Sequence, residues 1–117
     1  MNQSQALAAL AALANPTRLE LVRLLVGTGP EGLAASDIAT RLAISASRLS
    51  FHIAALEQAG LVTARRASRH IFYAADARGL GRVINYLLDD CCAAHPEVRA
   101  CCAPATVPAA VTPAAER

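Results

Sequence analysis

The sequence predicts a mainly α-helical domain with one small antiparallel β-hairpin, in the order ααααββα. Three observations favour this class. Apolar residues recur at helical spacing over most of the chain, capping residues stand where the helices would begin and end, and residues 61–74 change to short β-prone segments. The 117 residues suffice for one domain, but Phe and Tyr number only two each, so the core is thin and a dimer interface would help to complete it.

The N-terminal part of the chain predicts two helices in direct succession. Ala6 to Ala14 is rich in strong helix formers and ends at Asn15-Pro16. Asparagine is a favourable N-cap and proline a favourable first helical residue, so a second helix begins there and runs to about Val26. The glycine-rich run from Gly27 to Gly32 predicts a loop after it.

Two further helices are predicted on either side of a tight turn. Ser36 is the predicted N-cap of a short helix from Asp37 to Leu42, and Ser45 is that of a longer helix that stops at Gly60. The longer helix would bury three residues that recur at i, i+4 and i+7, namely Leu49, Ile53 and Leu56.

After Gly60 the spacing becomes that of short strands. Residues 61–65 and 70–74 predict a hairpin whose turn is formed by residues 66–69. Helical spacing returns from Asp76 to about Ala94, and Pro96 limits this last helix to its own N-terminal side. Residues 103–117 contain several prolines and no periodicity, so they predict a disordered tail.

Charge and hydropathy restrict the class of protein only weakly. The formal net charge of +2 is too small to indicate a partner, although all eleven basic residues are arginine. The first apolar run has no basic residue before Arg18 and passes into another helix, so we interpret it as folded protein rather than a secretory signal. No run reaches the roughly 18 to 20 apolar residues of a membrane span. We therefore expect a cytoplasmic protein, in which thiols stay reduced.

Helix, turn, helix and basic hairpin in this order predict a winged helix-turn-helix, a fold that binds double-stranded DNA. The longer helix carries hydroxyls and an arginine near its N-terminal end, where such groups suit contacts to phosphates and base edges in the major groove. A solvated helix face is the alternative; Phe51 could also pack beneath the helix, and His52 could be a structural hydrogen-bonding residue. The candidate face and its flanks comprise Ser47, Arg48, Ser50, Phe51 and His52.

The predicted hairpin carries a second basic set, Arg65, Arg66, Arg69 and His70. A charge run is usually solvated surface, and His70 could equally be structural, but beside a helix-turn-helix such a run more often contacts the phosphate backbone. No Ser/His/Asp set, Gly-rich phosphate loop or paired-carboxylate arrangement stands out. We therefore expect no enzyme activity, no catalytic residue and no catalytic cofactor.

Three segments resemble the ArsR/SmtB family of bacterial metal-responsive repressors: "ANPTRLELVRLL" (14–25), "ASDIATRLAISASRLSFHIAALEQAGLV" (35–62) and "ARRASRHIFYA" (64–74). The resemblance covers about residues 6–95. It implies a homodimer, joined through its first and last helices, that stays on a palindromic operator until an inducer releases it. Matching positions imply DNA contacts at Ser47, Arg48, Ser50 and His52 and, on the wing, at Arg65, Arg66 and Arg69. Many relatives have glutamine at the position of Ala46 and threonine at that of Arg48, so the operator sequence is not predicted.

All four cysteines lie in "DDCCAAHPEVRACCAPA" (89–105), as the pairs Cys91-Cys92 and Cys101-Cys102. A disulfide staple, a metal site, a redox switch and a compositional accident would each produce such clustering. In a reducing cytoplasm, clustered thiols indicate metal or redox chemistry before structural disulfides.

The position of the cysteines resembles one subgroup of the family. Its arsenic-responsive members have vicinal cysteines at the end of the last helix, and the run "NYLLDDCCAAHPEVRACC" (85–102) is similar to them. Other arsenic repressors hold their cysteines in the first helix of the helix-turn-helix, where this chain has 35–38 without cysteine. Zinc sensors of the family use spaced ligands on the last helix, whereas the candidates here cluster at one end; they are Asp89, Asp90, His95 and Glu97.

Electrostatics favours a neutral ligand for these thiols. The negative helix C-terminus and the adjacent Asp89 and Asp90 disfavour thiolates, so a four-thiolate zinc complex is a poor fit. Neutral As(OH)₃ can exchange three hydroxyls for three thiols and leave a neutral centre. The predicted ligands are Cys91, Cys92 and either Cys101 or Cys102, with Cys102 preferred, and the predicted inducer is As(III) or Sb(III), with methylated As(III) included.

The predicted organisation is therefore a DNA-binding and dimerisation domain at residues 1–95, an inducer site at 91–102 and a tail at 103–117. Two other interpretations stay open. In one, the same fold is a thiol redox or persulfide sensor in which a cysteine of the first pair forms a disulfide with one of the second. In the other, the chain is a thiol-rich metal-buffering protein whose winged helix serves only protein contacts.

Overall fold

A computed structural model describes residues 1–102 of the chain, and of the last of these, Cys102, the backbone alone. The predicted disordered tail, residues 103–117, lies outside the described residues. The chain divides into two compact units, Met1–Val83 and a second that begins at Ile84. In chain order the elements are α1 (Gln3–Leu13), α2 (Pro16–Thr28), β1 (Leu33–Ala34), α3 (Ala35–Leu42), α4 (Ala46–Gln58), β2 (Val62–Ala67), β3 (His70–Ala75), α5 (Ala77–Asn85), a π-helical segment (Tyr86–Cys91) and α6 (Pro96–Cys102).

The first two helices have the predicted boundary between them. The side chain of Asn15 accepts a hydrogen bond from the Arg18 amide, and Pro16 is the first residue of α2. Helix α1 begins earlier than predicted, because Asn2 and Gln5 form a capping box, each bonded to the other's backbone amide. It buries Ala6, Ala9 and Ala12, so its contact with α2 and α4 is made by small side chains.

The helix-turn-helix consists of α3 and α4. Ser45 caps α4 as predicted, through a hydrogen bond from the Arg48 amide, and the chain leaves the helix at Gly60 with a positive φ. The predicted cap at Ser36 is wrong. Helix α3 begins at Ala35, directly after β1, and its N-cap residue Ala34 makes no side-chain hydrogen bond. The three predicted core residues of α4 are buried, together with Ile38 of α3.

The sheet has one strand more than predicted. The hairpin pairs β2 with β3 in the register Val62↔Ala75 to Ala67↔His70, so its turn is only Ser68-Arg69 and Arg66 lies in a strand. The added strand, β1, pairs with the other side of β3, which gives the order β1-β3-β2. A two-residue strand has too little periodicity to be recognised in a sequence. The predicted winged helix-turn-helix is confirmed, with a three-stranded wing sheet.

A close backbone contact fixes the start of α5 against the end of α4. The Asp76 side chain accepts a hydrogen bond from the Gly79 amide at 3.0 Å. A β-carbon at Gly79 would lie 1.8 Å from the carbonyl oxygen of Gly60, so only glycine fits there. Leu56 and Leu61, on either side of this contact, are fully buried.

The C-terminal unit departs from the prediction of a single helix to about residue 94. The chain changes to π-helical hydrogen bonding at Tyr86, and the Cys92 amide donates to Leu87 five residues earlier. A turn of four residues, Cys92 to His95, follows, and Pro96 begins α6 instead of only ending a helix. Proline is favourable at a first helical position, which explains this second role. No helix within residues 1–102 is long and apolar enough to cross a membrane.

Candidate nucleic-acid interface and thiol site

The N-terminal half of α4 presents an exposed polar face. The first turn of the helix leaves unpaired amides and a partial positive charge, which favour a phosphate nearby. Phe51 is 65% exposed and lies one helical turn after Ser47 on the same side of α4. The other exposed members of the predicted set are Arg48 and Ser50. Four of the five residues of the predicted face therefore lie at the surface.

His52 is the exception. Its side chain was predicted to face DNA, but it is buried. It is only 7% exposed, and its Nδ1 accepts a hydrogen bond from Nε of Arg18 at 3.1 Å. Burial, and then the positive charges of Arg18 and Arg48, lower the pKa of His52 below 6.5. The side chain is thus a neutral acceptor in the interior of the protomer, which was the structural alternative for this histidine.

Arg18 is a functional candidate that the sequence did not reveal. It lies in the first turn of α2, half-buried, and its guanidinium carbon is 5.7 Å from the ring centroid of Phe51. Its partner in α4 is 34 positions away in sequence. No local pattern predicts a contact over that separation.

Strand alternation sends the two adjacent wing arginines to opposite faces of the hairpin. Arg65 pairs with Phe72 across the strands, and its guanidinium lies 4.8 Å from the Phe72 ring centroid while donating to the Glu31 carbonyl at 3.1 Å. Arg66 pairs with Ile71 and lies on the face of Tyr73. The predicted wing cations are therefore on the hairpin but do not form one cluster.

The two wing faces also differ in their electrostatic surroundings. Burial raises the pKa of Tyr73, the Glu57 carboxylate raises it further, and Arg66 opposes both effects. Arg69 lies in the turn, exposed, and within residues 1–102 its side chain makes no hydrogen bond or ion pair. Arg66 and Arg69 are accordingly the wing cations best placed to reach a phosphate, whereas Arg65 is engaged with the loop before β1.

The C-terminal unit arranges the cysteine pairs on two consecutive helical segments. Cys91 ends the π-helical segment and is exposed, Cys92 follows it half-buried, and Cys101 is exposed in α6. The fourth predicted ligand, Cys102, ends α6, and its side chain lies outside the described part of the chain. Among the described side chains, no three His, Cys, Asp or Glu residues form a cluster that could hold a metal ion.

The turn between these segments is unusual in its backbone. The His95 amide donates to the Cys92 carbonyl at 2.9 Å, and the two central residues, Ala93 and Ala94, have φ values of 51° and 56°. Positive φ at both central positions is the geometry of a type I′ turn, which favours glycine or asparagine over alanine. Alanine at these two positions therefore strains the backbone of the turn.

Several polar groups near the cysteines are already engaged. The carboxylate of Asp89 forms an ion pair with Arg99, and both side chains are nearly half exposed. Nδ1 of His95 accepts a hydrogen bond from the Glu97 amide at 3.2 Å. The ion pair thus links the π-helical segment to α6, and it uses one of the carboxylates that a zinc ion on this segment would need.

Comparisons with known proteins support the assignment of the helix-turn-helix. Residues 13–65 match a family described as a helix-turn-helix domain. Over 86 residues the chain is 31% identical to the transcriptional activator HlyU of Vibrio cholerae, which covers 74% of this chain and 77% of that protein. A solved structure of reduced HlyU has a TM-score of 0.60 at 29% identity and covers 74% of this chain and 88% of its own.

Three other solved structures are similar. An ArsR-like transcriptional regulator from Rhodococcus sp. RHA1 has a TM-score of 0.70 at 28% identity, covering 84% of this chain and 90% of its own. A possible transcriptional regulator for arsenical resistance has a TM-score of 0.61 at 35% identity, covering 70% and 81%. A homodimeric winged helix-turn-helix domain of a possible ArsR-family regulator from Mycobacterium bovis has a TM-score of 0.61 at 29% identity, covering 74% and 84%.

Proposed function

Because this chain belongs to the ArsR family of winged helix-turn-helix transcriptional regulators, we propose that it is a repressor released from its operator by a trivalent arsenical. The observation that carries the proposal is the placement of the two cysteine pairs at the ends of the π-helical segment and of α6, two segments that the Asp89–Arg99 ion pair joins. Similarity to a possible regulator for arsenical resistance, at 35% identity, supports the same class of inducer. A repressor of this kind acts on the chromosome, and we therefore expect it in the cytoplasm.

The proposed DNA contacts follow from exposure and charge. The first two turns of α4 offer Ser47, Arg48 and Ser50 to the major groove, and the wing offers Arg66 and Arg69 to the phosphate backbone. Each phosphate contact releases counterions, so operator binding should weaken steeply with salt. No role in contacting DNA is proposed for His52, which is buried.

A homodimer is part of the proposal. Helix α1 buries alanines within the protomer while Leu7 is 57% and Leu10 is 36% exposed, the reverse of what burial of the larger apolar side chains would favour. Exposed leucines beside a polar surface suit contact with a second copy. A similar domain from Mycobacterium bovis was solved as a homodimer. Two recognition helices would then read half-sites about one DNA turn, ~34 Å, apart.

The proposed inducer site takes its thiols from the end of the π-helical segment and from the end of α6. Cys91 and Cys92 supply two thiols, and Cys102 or Cys101 supplies the third. As(OH)₃ exchanges three hydroxyls for three thiol sulfurs; each thiol proton leaves with a hydroxyl as water, and no electron is transferred. The Asp89–Arg99 ion pair supports this assembly, since it joins two positions that each lie two residues before a cysteine pair.

The irregular backbone supports a switch at the same place. Cys91 ends a π-helical segment, and the two alanines after Cys92 are held at positive φ. Closing the thiols around one atom would change the hydrogen bonding of this segment, which continues from α5. The family resemblance implies that this C-terminal helical region lies in the dimer interface together with α1, so we propose that the change reaches the partner protomer. A coupling of roughly 1 to 3 kcal/mol would weaken operator binding about 5- to 150-fold.

The test is a gel-shift titration on the upstream region of the protein's own gene, with parallel series of As(III), Sb(III), methylated As(III), Zn²⁺ and an oxidant. We expect trivalent arsenicals to release the wild type and to leave the Cys91→Ser and Cys92→Ser variants bound. The Cys101→Ser and Cys102→Ser variants identify the third ligand. Arsenite that binds the protein without changing its operator affinity would refute the proposed mechanism.

A thiol redox sensor is the second candidate, because Cys91 and Cys101 are exposed thiols on the π-helical segment and on α6, and a relative was solved in its reduced form. Two thiols would lose two electrons and two protons to the oxidant as their disulfide forms. In the same titration this candidate predicts release by oxidant, reversal by dithiothreitol and no response to arsenite. Failure to bind any promoter fragment would instead favour a metal-buffering role.

A further inference from the structure

Arg18 links three helices of the DNA-binding unit, its own and two others. It belongs to α2, its Nε donates to Nδ1 of His52 in α4 at 3.1 Å, and its Nη1 lies 3.5 Å from the carbonyl oxygen of Ala12 in α1. That carbonyl is in the last turn of α1, where carbonyls have no partner within the helix. The Asn15 side chain caps the first turn of α2 and so fixes the backbone from which Arg18 extends.

The helices around Arg18 pack through small side chains. A single polar contact therefore contributes more to the arrangement of these helices than it would in a core of large, interdigitating side chains. The space between α1 and α4 beside Arg18 is lined mainly by alanines, namely Ala8, Ala11, Ala12, Ala55 and Ala59. Alanines have no long side chains to interdigitate, so apolar packing defines the angle between these helices weakly. The hydrogen bond from Arg18 to His52 adds a directional link between α2 and α4, and the longer contact to the Ala12 carbonyl adds one to α1.

His52 is suited to accept this hydrogen bond permanently. Burial and the neighbouring cations lower its pKa, so the imidazole stays neutral, and the Nδ1 that faces Arg18 is its acceptor. Arginine keeps its charge and its donors at any physiological pH. Near neutral pH, Arg18 is therefore always the donor and Nδ1 of His52 always the acceptor of this hydrogen bond.

Phe51 lies between the Arg18–His52 pair and the proposed DNA-facing surface of α4. One face of its ring meets the guanidinium of Arg18, and the His52 ring meets it edge-on with centroids 5.4 Å apart. The remaining surface of Phe51 is exposed beside Ser47 and Ser50. The orientation of this aromatic ring thus depends on the buried His52 and the half-buried Arg18 behind it.

We propose that Arg18 is a positioning residue for DNA binding, which acts through His52 and Phe51 to fix how α4 is presented to the major groove. The side chain is half-buried, and its Nε and Nη1 donate to groups inside the protomer, so we assign it a positioning role and not that of a phosphate contact. The proposal rests on the DNA-binding activity alone and is independent of the inducer.

The test measures fluorescence anisotropy of the full chain on a labelled duplex from the region upstream of its own gene and on an unrelated duplex of equal length. Arg18→Gln should weaken binding to the upstream duplex about tenfold or more and change binding to the unrelated duplex by less than about threefold. Arg23→Gln is the matched control, since it removes the same charge from the exposed side of α2. Equal effects of the two variants, or a salt slope lowered by Arg18→Gln alone, would mean that Arg18 acts by charge and would overturn the proposal.

Two substitutions of His52 separate positioning from general destabilisation. His52→Asn keeps an acceptor near the position of Nδ1 and should bind within about threefold of wild type, whereas His52→Phe keeps the ring but no acceptor and should resemble Arg18→Gln. The double variant Arg18→Gln/His52→Phe should bind no more weakly than either single variant, because both remove one link. Asparagine and phenylalanine variants of equal affinity would refute the role of the acceptor. The comparison of His52→Asn with His52→Phe tests the proposal even if circular dichroism shows that Arg18→Gln does not fold.

Discussion

Each of the two compact units of this chain is stabilised internally in a different way. Within the described residues, every buried side chain belongs to Met1–Val83, whereas none of the side chains from Ile84 to Cys101 is buried. The first unit is specified by a core, and the second by backbone hydrogen bonds, one turn and one exposed ion pair. Structure with few buried apolar contacts opens at low free-energy cost. This difference agrees with the proposed roles, since a DNA-binding surface needs a fixed shape and a proposed inducer site needs a segment that can rearrange.

The largest expected effect comes from breaking the first unit at its closest backbone contact. Gly79→Ala would place a methyl group 1.8 Å from the Gly60 carbonyl oxygen, and a backbone atom cannot move aside as a side chain can. We expect a loss of about 3 kcal/mol or more in the free energy of unfolding, measured by urea denaturation. Gly81→Ala is the control in the same helix, because no atom other than the local helix backbone lies within 4 Å of the position that its methyl group would take, and alanine favours helix by about 1 kcal/mol. Equal stability of the two variants would contradict the close contact.

A smaller effect is expected from the wing, which belongs to the first unit but lies at its surface. Arg69→Gln removes an exposed cation with no partner among residues 1–102, so the slope of log affinity against log salt should fall in magnitude by about 0.9 per protomer. Arg65→Gln should lower the slope less, since that guanidinium is bound to Glu31 and Phe72. The measurement is anisotropy on the upstream duplex at salt concentrations from about 50 to about 300 mM. The opposite ranking of the two variants would show that Arg65 leaves its internal partners on DNA.

The pH dependence of the free energy of unfolding tests whether the buried His52 of the first unit is neutral in the folded protein. The pKa of His52 is lowered on folding from 6.5, so below that pH the unfolded chain binds a proton that the native protein excludes. The stabilising contribution of the neutral histidine is complete above pH 6.5 and is lost as the pH falls through its lowered folded pKa. The difference in free energy of unfolding between wild type and His52→Asn should therefore shift against the wild type as the pH falls below 6.5, and a difference independent of pH would contradict the assignment. Arg18 and Arg48 are the charges that act on this group.

The smallest expected effect on stability concerns the second unit. Arg99→Gln breaks the exposed ion pair with Asp89 and should change the free energy of unfolding by only about 0.2 to 1 kcal/mol. If the pair aligns the two cysteine pairs, the arsenite concentration that releases half of the bound DNA should nevertheless rise. Asp90→Asn is the control, because it removes a neighbouring charge without breaking that pair. An unchanged arsenite response in Arg99→Gln would show that the thiols assemble without it.

Most elements of the first unit could be predicted because their signals are local. Asn15 followed by Pro16, Ser45 before α4 and Gly60 after it each act on amides or carbonyls within a few residues. Ser36 failed as a cap for a non-local reason, since pairing of β1 with β3 brings the chain into α3 earlier. The second unit was harder to predict, because residues 76–94 keep helical spacing although the hydrogen bonding changes at Tyr86.

The helix-turn-helix, the hairpin and the concentration of thiols near residue 100 were predictable from the sequence, since periodicity, caps and spacing are properties of neighbouring residues. The family was predictable from the resemblance of three segments to known repressors. Tertiary packing was needed to show that His52 is buried against Arg18, that Arg65 and Arg66 lie on opposite faces of the wing, and that Gly79 meets Gly60. These contacts join residues that are far apart in the sequence, or depend on strand register. The burial of His52 follows from the packing of α1, α2 and α4 around one core, the opposite faces of the two arginines from the strand register, and the Gly79–Gly60 contact from the approach of α5 to the end of α4. Each of these depends on two or more segments at once and therefore cannot be predicted from one.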